Sequence, residues 1–323
     1  MRNKRPQDRR CSYVVLVQSA TASTGELREL ASYFSTLGVA GCDVVILDPS
    51  PRLQFELNGR ILRWVGQHVA VRPEYRTGGG IDVVRAAAAL ATCEKVIVAA
   101  EDVRYTPEAI GQLYDLLDAH EVVEPQDYLD PMPWWGGIEA GRMLIHRGIE
   151  PQPDHGATFG FRRSAIRGLR TLSPSTETRA RRLALVGAEV FPAAEVFVRR
   201  EPTPLADWVS GRPRLAGEDF NFPFKTAFFF SLLPLLLLLA FVNVTLAGSY
   251  AGLIAFAAMG LAARGRTGAA AMHFPLRACL FAPVWVLERS VSVYWALFRK
   301  LRGADEDVSR VMTPAETRER HVI

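Results

Sequence analysis

Cysteine is scarce in this sequence. Its four residues, Cys11, Cys42, Cys93 and Cys279, are widely separated and form no C-x-x-C pair, so neither a zinc site nor a disulfide framework is indicated. A reduced, cytoplasmic compartment fits that usage best. An excess of one charge is also missing: 38 Lys and Arg against 34 Asp and Glu leave a net charge of +4. With its arginines scattered along the chain, that is too little for a nucleic-acid binder and suits an anionic membrane surface. There is no internal repeat, and no low-complexity segment beyond short Ala runs. A secretory signal is not expected either, because the basic start MRNKRPQDRR leads only into Tyr13-Val14-Val15-Leu16-Val17, which is soon followed by polar residues. Residues 1–12 therefore read as a tail. The largest gap is in charge itself: no Asp, Glu, Lys or Arg occurs between Lys225 and Arg264, an interval that includes PLLLLLAFV. Those 38 positions compare with the ~20 needed to cross a bilayer once. The chain is expected to be an integral membrane protein with a polar N-terminal unit.

That polar unit alternates strand and helix. Tyr13 to Val17 reads as a strand, Gly25 to Leu37 as a helix, and Val44 to Leu47 as a second strand closed by Asp48-Pro49-Ser50-Pro51. In ELNGRILRWV the pair Asn58-Gly59 between apolar runs signals a hairpin. Val69 to Val71 gives a third strand, and Asp82 to Ala91 an Ala-rich helix. Next comes KVIVAAEDVRYTPEAI, in which Val96 to Ala100 is apolar without alternation, as in a strand covered on both faces of a parallel sheet. It ends in two carboxylates, Glu101 and Asp102, before a Pro-started helix. Repeated βα units with short links imply an α/β, mostly parallel, doubly wound sheet. Ligands of such sheets bind outside the carboxyl ends of the strands, where these acids stand.

Several stretches together resemble the family 2 glycosyltransferases, which have a GT-A fold. The resemblance runs from about Tyr13 to Asp219 and rests on order and spacing. ILDPSP stands where the family has a strand ending in an acidic nucleotide-binding motif, and VIVAAEDVRYTPEAI resembles its Asp-x-Asp strand. RTGGGIDVVRAAAAL is similar to its Gly-rich loop and following helix, GATFGFRRSAI to its acceptor-side segment, and DWVSGRPRLAGED occupies the place of its Gln-x-x-Arg-Trp motif.

The resemblance implies a nucleoside diphosphate sugar as donor and a divalent cation, Mg²⁺ or Mn²⁺, that helps neutralise the diphosphate as the sugar leaves. Asp102 corresponds to the metal-binding last acid of the Asp-x-Asp pattern, whereas the first acid is replaced by Ala100, with Glu101 between them. Asp48 would face the base or ribose, on a strand expected to neighbour that of Asp102, although Asp-Pro-Ser-Pro is also ordinary turn chemistry. Ser19, after the first strand, would lie near the same crevice. Gly78-Gly79-Gly80 could admit a phosphate to the backbone or simply turn, and Arg85 either contacts the donor or sits on a solvated helix face. The family's catalytic base falls near Ser175 and Thr176, one residue from Glu177, which is the candidate base; its other role is that of a first-turn acid favoured by the helix dipole. Arg212 and Arg214 match the basic part of the later motif and would hold the leaving diphosphate or face acidic lipid, but Gly211 and Leu215 replace its Gln and Trp. That incomplete signature favours transfer of a single sugar. QDYLDPMPWWGG reads as an insertion before a helix from Ile138 to His146, and its Trp134 and Trp135 offer faces for stacking a sugar or amphipathic acceptor, or else pack in a core.

These expectations divide the chain into a tail (1–12), a GT-A domain (13–224), a membrane region (225–302) and a polar C-terminal tail (303–323). The membrane region would hold a helical hairpin over about 226–263, turning at Ala247-Gly248-Ser249-Tyr250, and a helix over about 274–298. That last helix contains Glu288 and Arg289, which favours lying in the interface over a third crossing. Lys225 before the hairpin and Arg264, Arg266 and Arg277 after it put both ends, and the catalytic domain, on the cytoplasmic side. Two functional classes follow. One is a glycosyltransferase acting on a lipid-linked or membrane-proximal acceptor; the other is a non-catalytic binder of nucleotide sugar or glycan on a degenerate scaffold.

Overall fold

A computed structural model describes residues 11–17, 24–71, 80–150, 158–166 and 189–302. The chain divides into two compact units. The first comprises Met1–Pro133, His146–Pro202 and Gly265–Pro275, and it holds one eight-stranded sheet in the order β3-β2-β1-β4-β7-β6-β8-β5. Its strands are β1 (Cys11–Leu16), β2 (Cys42–Asp48), β3 (Gln67–Ala70), β4 (Lys95–Ala100), β5 (Val103–Arg104), β6 (Val122–Leu129), β7 (Thr158–Arg162) and β8 (Val190–Arg200). Helices α1 (Thr24–Val39), α2 (Arg52–Leu62), α3 (Gly80–Leu90) and α4 (Pro107–Ala119) are interleaved with them.

The apolar runs behave as strands covered twice over. Along β1, Cys11, Tyr13 and Val15 pack with Leu27, Leu30 and Phe34 of α1 and Leu113 of α4, while Val14 and Leu16 pack with Val84 and Ala87 of α3. Period-two side-chain direction produces that division, so a run without polar residues is what two covered faces require. Strands β3, β2, β1 and β4 are parallel, as expected. Beyond them the sheet becomes mixed, because β7 runs antiparallel to both β4 and β6, and the two-residue β5 antiparallel to β8. Strands β6 and β8 are parallel to each other. Cys11 and Cys42 face one another across β1 and β2 with sulfurs 3.1 Å apart as free thiols, an adjacency that their separation in sequence did not reveal.

Three local expectations are corrected. Asn58-Gly59 is no hairpin turn: both lie inside α2, where the Asn58 amide accepts from Gln54 one turn earlier (2.8 Å) and donates to Asp48 (2.9 Å). A buried use for the side chain outweighs the turn preference. Gln126 to Leu129 belong to β6 and not to an insertion. Finally, Ala247 to Tyr250 are helical, and the chain turns earlier, at Asn243.

The second unit consists of Trp134–Ile145, Thr203–Arg264 and Leu276–Ile323. Its elements are the Trp134–Ile145 part of α5 (Trp134–Ile149), α6 (Leu205–Glu218), α7 (Pro223–Val242), α8 (Val244–Gly265) and α9 (Ala282–Leu301). Helices α7 and α8 are each long and apolar enough to cross a membrane. Between them, Asn243 Oδ1 accepts the N–H groups of Thr245 (2.8 Å) and Leu246 (3.4 Å), an N-cap that starts the second helix in a stretch otherwise poor in capping side chains. Helix α9 packs on α6 and α7 with an inverted polarity. Arg289, Ser290 and Ser292 are buried, whereas Val284, Leu287, Val291, Trp295 and Phe298, at three- and four-residue spacing, are exposed. Gly141 of α5 lets this layer close, since a Cβ there would lie 2.8 Å from the Ala282 nitrogen.

Gly66, just before β3, is a second close approach: a Cβ there would stand 2.6 Å from the Val44 carbonyl oxygen. Backbone cannot step aside as a side chain can. Gly66→Ala is therefore expected to cost about 1–3 kcal/mol, read as a lowered thermal midpoint of the far-ultraviolet circular dichroism signal. An unchanged midpoint would mean that β3 does not pack as described.

Candidate active site at the carboxyl edge of the sheet

Strands β4, β6 and β8 point the same way, so their ends meet at one edge. Asp102 follows β4 in a two-residue turn, Asp127 lies near the end of β6, and Arg200 closes β8. The short pairing of β5 with β8 puts Val103 opposite Arg200, and the Asp102 carbonyl accepts the Glu201 N–H at 2.8 Å. These backbone bonds hold the turn against β8. The guanidinium of Arg200 then bridges two acids: its Nε donates to Asp102 Oδ2 at 2.7 Å and its Nη1 reaches Asp127 Oδ2 at 3.4 Å. Asp127 is 1 % exposed. A carboxylate that deep needs a charged partner, and Arg200 supplies one.

Around this bridge stand more ions. Arg104 pairs with Glu201 at 3.1 Å, donates to the Glu101 carbonyl and stacks 5.0 Å from the centre of the Tyr33 ring. Arg199 donates to the Asp130 carbonyl at 3.0 Å. Below the turn, Tyr105 donates its N–H to the Tyr33 hydroxyl (2.8 Å), and the Thr158 hydroxyl bonds both the Val98 carbonyl and the Tyr105 hydroxyl at 2.8 Å. The acids thus rest on a buried, hydrogen-bonded floor. Asp102 is partly open to solvent, so the edge presents both signs of charge to a ligand.

The other candidate residues are placed as follows. Asp48 ends β2, but β1 stands between β2 and β4, so the strands of Asp48 and Asp102 are not neighbours. Its carboxylate is taken up within its own neighbourhood. One oxygen accepts the Ser50 N–H (2.9 Å) and the other meets Asn58 Nδ2 and His68 Nε2, both at 2.9 Å. Burial alone would raise its pKa, yet the bonds from His68, Ser50 and Asn58 outweigh it and lower the pKa from 3.8 to about 2. Arg85 lies half-buried on α3. Ser19 and Glu177 lie outside the described residues, as do Gly78, Gly79 and the side chain of Arg214. Arg212 belongs to the second unit and is 4 % exposed. There it bonds Glu139 at 2.7 Å, lies 3.7 Å from Glu288 and stacks 4.3 Å from the centre of the Trp208 ring. Glu139, which burial would otherwise make easier to protonate, is held well below the usual carboxylate range by Arg142 and Arg212. Trp134 is exposed, while Trp135 donates its indole N–H to the Thr203 carbonyl at 3.3 Å.

The divalent cation implied by the resemblance finds a poor donor set at this edge. Ala100 offers no ligand atom, one oxygen each of Asp102 and Asp127 already faces Arg200, and among the described residues no three His, Cys, Asp or Glu side chains converge. A hard cation normally gathers several oxygens at once. The residues described here do not fit it.

Reading the sequence singled out Asp102 but missed Arg200. The available signal was VFVRREP, a strand pattern ending in paired arginines. No protein-family model and no curated protein sequence matches the chain. Among solved structures it is similar to a mannosyltransferase from Pyrobaculum calidifontis, in complex with GDP-Man and Mn²⁺, at 16 % identity and a TM-score of 0.48, covering 88 % of this chain and 87 % of that one. It is also similar to glucosyl-3-phosphoglycerate synthase from Mycobacterium tuberculosis, in complex with phosphoglyceric acid, at 13 % identity and a TM-score of 0.39, covering 62 % and 75 % respectively.

Asp48 makes a pH dependence predictable. Its folded pKa lies below the ordinary 3.8, so its contribution is present above that value and is lost as pH falls towards about 2. The shift corresponds to ~2 kcal/mol. Asp48→Asn should remove that share of the acid-side loss, measured as urea-unfolding stability at several pH values below ~4. Equal slopes in the two proteins would show that Asp48 is not held as described.

Proposed function

We propose that this chain is a membrane-anchored glycosyltransferase that moves one sugar, with inversion, from a nucleoside diphosphate sugar to a lipid-linked or membrane-proximal hydroxyl. The observation that carries the reading is the charged carboxyl edge itself, with Asp102, Asp127 and Arg200 gathered where β4, β6 and β8 end. In a direct displacement the acceptor oxygen bonds to the anomeric carbon as the bond to the diphosphate oxygen breaks. The diphosphate leaves with the electron pair, and the hydroxyl proton passes to a carboxylate. Glu177 is proposed as that base from its place in the sequence. Asp48, Ser19 and Arg85 are proposed on the donor side, with the glycines before α3 next to the phosphates. Asp48 would act from beneath, ordering Ser50 and His68 rather than offering a free carboxylate.

The lipid-facing part of the reading rests on α7, α8 and α9. Two helices joined at Asn243, uncharged except for Lys225 in the first turn of α7 and Arg264 in the last turn of α8, with Arg266 just beyond, suit a hairpin with both ends cytoplasmic. The outward stripe of α9 suits the boundary between headgroups and acyl chains, with Arg289 buried and Glu288 half-buried in the protein. In this orientation the donor would come from the cytoplasm and the acceptor from the adjoining leaflet.

Purified full-length protein in native lipid should release a nucleoside diphosphate from at least one nucleotide sugar, and Asp102→Ala should lower that turnover by roughly 100-fold while secondary structure is retained. Near-normal turnover in Asp102→Ala would remove the residue from the mechanism. Donor binding without turnover, across a panel of lipid acceptors, would replace the transferase with the binding-protein reading. Topology is checked separately in a variant without native cysteines: Thr245→Cys should label from outside the cell and Arg299→Cys from inside. Labelling of both from the outside would make α9 a third span.

A further inference from the structure

We infer that Arg200 is the cation of this site: its guanidinium occupies the space between Asp102 and Asp127 and meets the donor's diphosphate directly, so that donor binding needs no divalent metal. The inference rests on the donor reading above and departs from the metal that the resemblance implies. Three observations carry it. First, Arg200 is built into the edge: it closes β8, pairs through the backbone with Val103 and is followed by Glu201, whose N–H is tied to the Asp102 carbonyl. Second, its Nε and Nη1 are directed at the two acids that a metal would have to share, at 2.7 and 3.4 Å. Third, position 100 is Ala, so the residue two before Asp102 offers no carboxylate to a metal.

Asp102, Asp127, Glu201 and Asp130 against Arg200, Arg104 and Arg199 leave the cluster with a net charge of −1, so the assignment rests on the geometry of the guanidinium and not on the charge count. A diphosphate entering next to Arg200 would therefore meet a planar donor already oriented by Asp102, and it could draw on the neighbouring arginines by exchange of partners. Guanidinium suits this task because its donors lie in a fork that matches phosphate oxygens, and because its charge does not depend on pH. Asp102 is then a positioning residue for Arg200, and Asp127 its buried anchor. No bond is made or broken by either acid.

The test uses the full chain in lipid nanodiscs, with MnCl₂ alone and with GDP, UDP and ADP as probes. Wild type is expected to leave the electron paramagnetic resonance signal of Mn²⁺ as in buffer, and to bind one of the diphosphates in EDTA within about twofold of its affinity in Mn²⁺. Arg200→Ala should weaken that diphosphate by ~10-fold or more and should create a Mn²⁺ signal at the freed acids. Arg200→Lys, which keeps the charge and disturbs the fold less, should bind with intermediate affinity and without Mn²⁺ dependence. Stoichiometric Mn²⁺ on wild type, or diphosphate binding lost in EDTA and restored by Mn²⁺, overturns the inference and leaves the transferase reading standing. Failure of all three diphosphates to bind under either condition overturns both.

Discussion

A carboxylate buried inside a sheet must be given a cation, and Asp127 imposes that requirement on the first unit. Left alone at 1 % exposure, it would have to accept a proton or undo its surroundings. Arg200 meets the requirement only because β8 runs parallel to β6 for long enough to bring its last residue beside Asp127. The same placement brings β5 against β8, and β5 exists to turn the chain after Glu101 and Asp102. The edge geometry, the short strand and the ion bridge are thus one solution to a single electrostatic need. The phosphate binding proposed at this edge would use a cation that the fold already requires.

The second unit meets the opposite condition. The exposed surface of α7 and α8 is mainly apolar, while ions lie within the unit: Arg212 with Glu139, Arg289 with Asp219 at 2.7 Å, and the half-buried Lys225 with Asp219 at 2.9 Å. In water such an arrangement would be costly on both counts. Against hydrocarbon it is the arrangement that minimises exposed charge. Pairing also ties together three segments far apart in the chain, one carrying Glu139, one Arg212 and Asp219, and one Glu288 and Arg289.

Much of the first unit was legible because buried parallel strands must be apolar throughout, and β1, β2 and β4 are. The acids at Glu101 and Asp102 were legible for the same reason, since charge stands out after such a run. What failed was context. Asn58-Gly59 has the composition of a turn, and nothing local shows that Asn58 will be needed by Asp48 one strand away. The mixed half of the sheet was missed because strand direction depends on long connections rather than on residue pattern. Arg200 was missed because its partners, Asp102 and Asp127, are brought to it only by the sheet. In the hairpin, small residues at Ala247 to Ser249 suggested a turn, but a capping side chain decides where a helix begins, and Asn243 has one.

Gly141 has a consequence for biosynthesis. Its closest partner in the second unit is Ala282, which lies 141 positions further along the chain. At ribosomal speed that interval lasts on the order of ten seconds. Throughout it, the Trp134–Ile145 segment has been made but the layer that covers it has not, and Glu139 is without Arg212 for half of that time. The second unit therefore cannot assemble in the order of synthesis; an early helix has to be kept from collapsing until the last one has been made. Its buried charges would keep that waiting helix hydrated, and would give up their water only when the partners arrive.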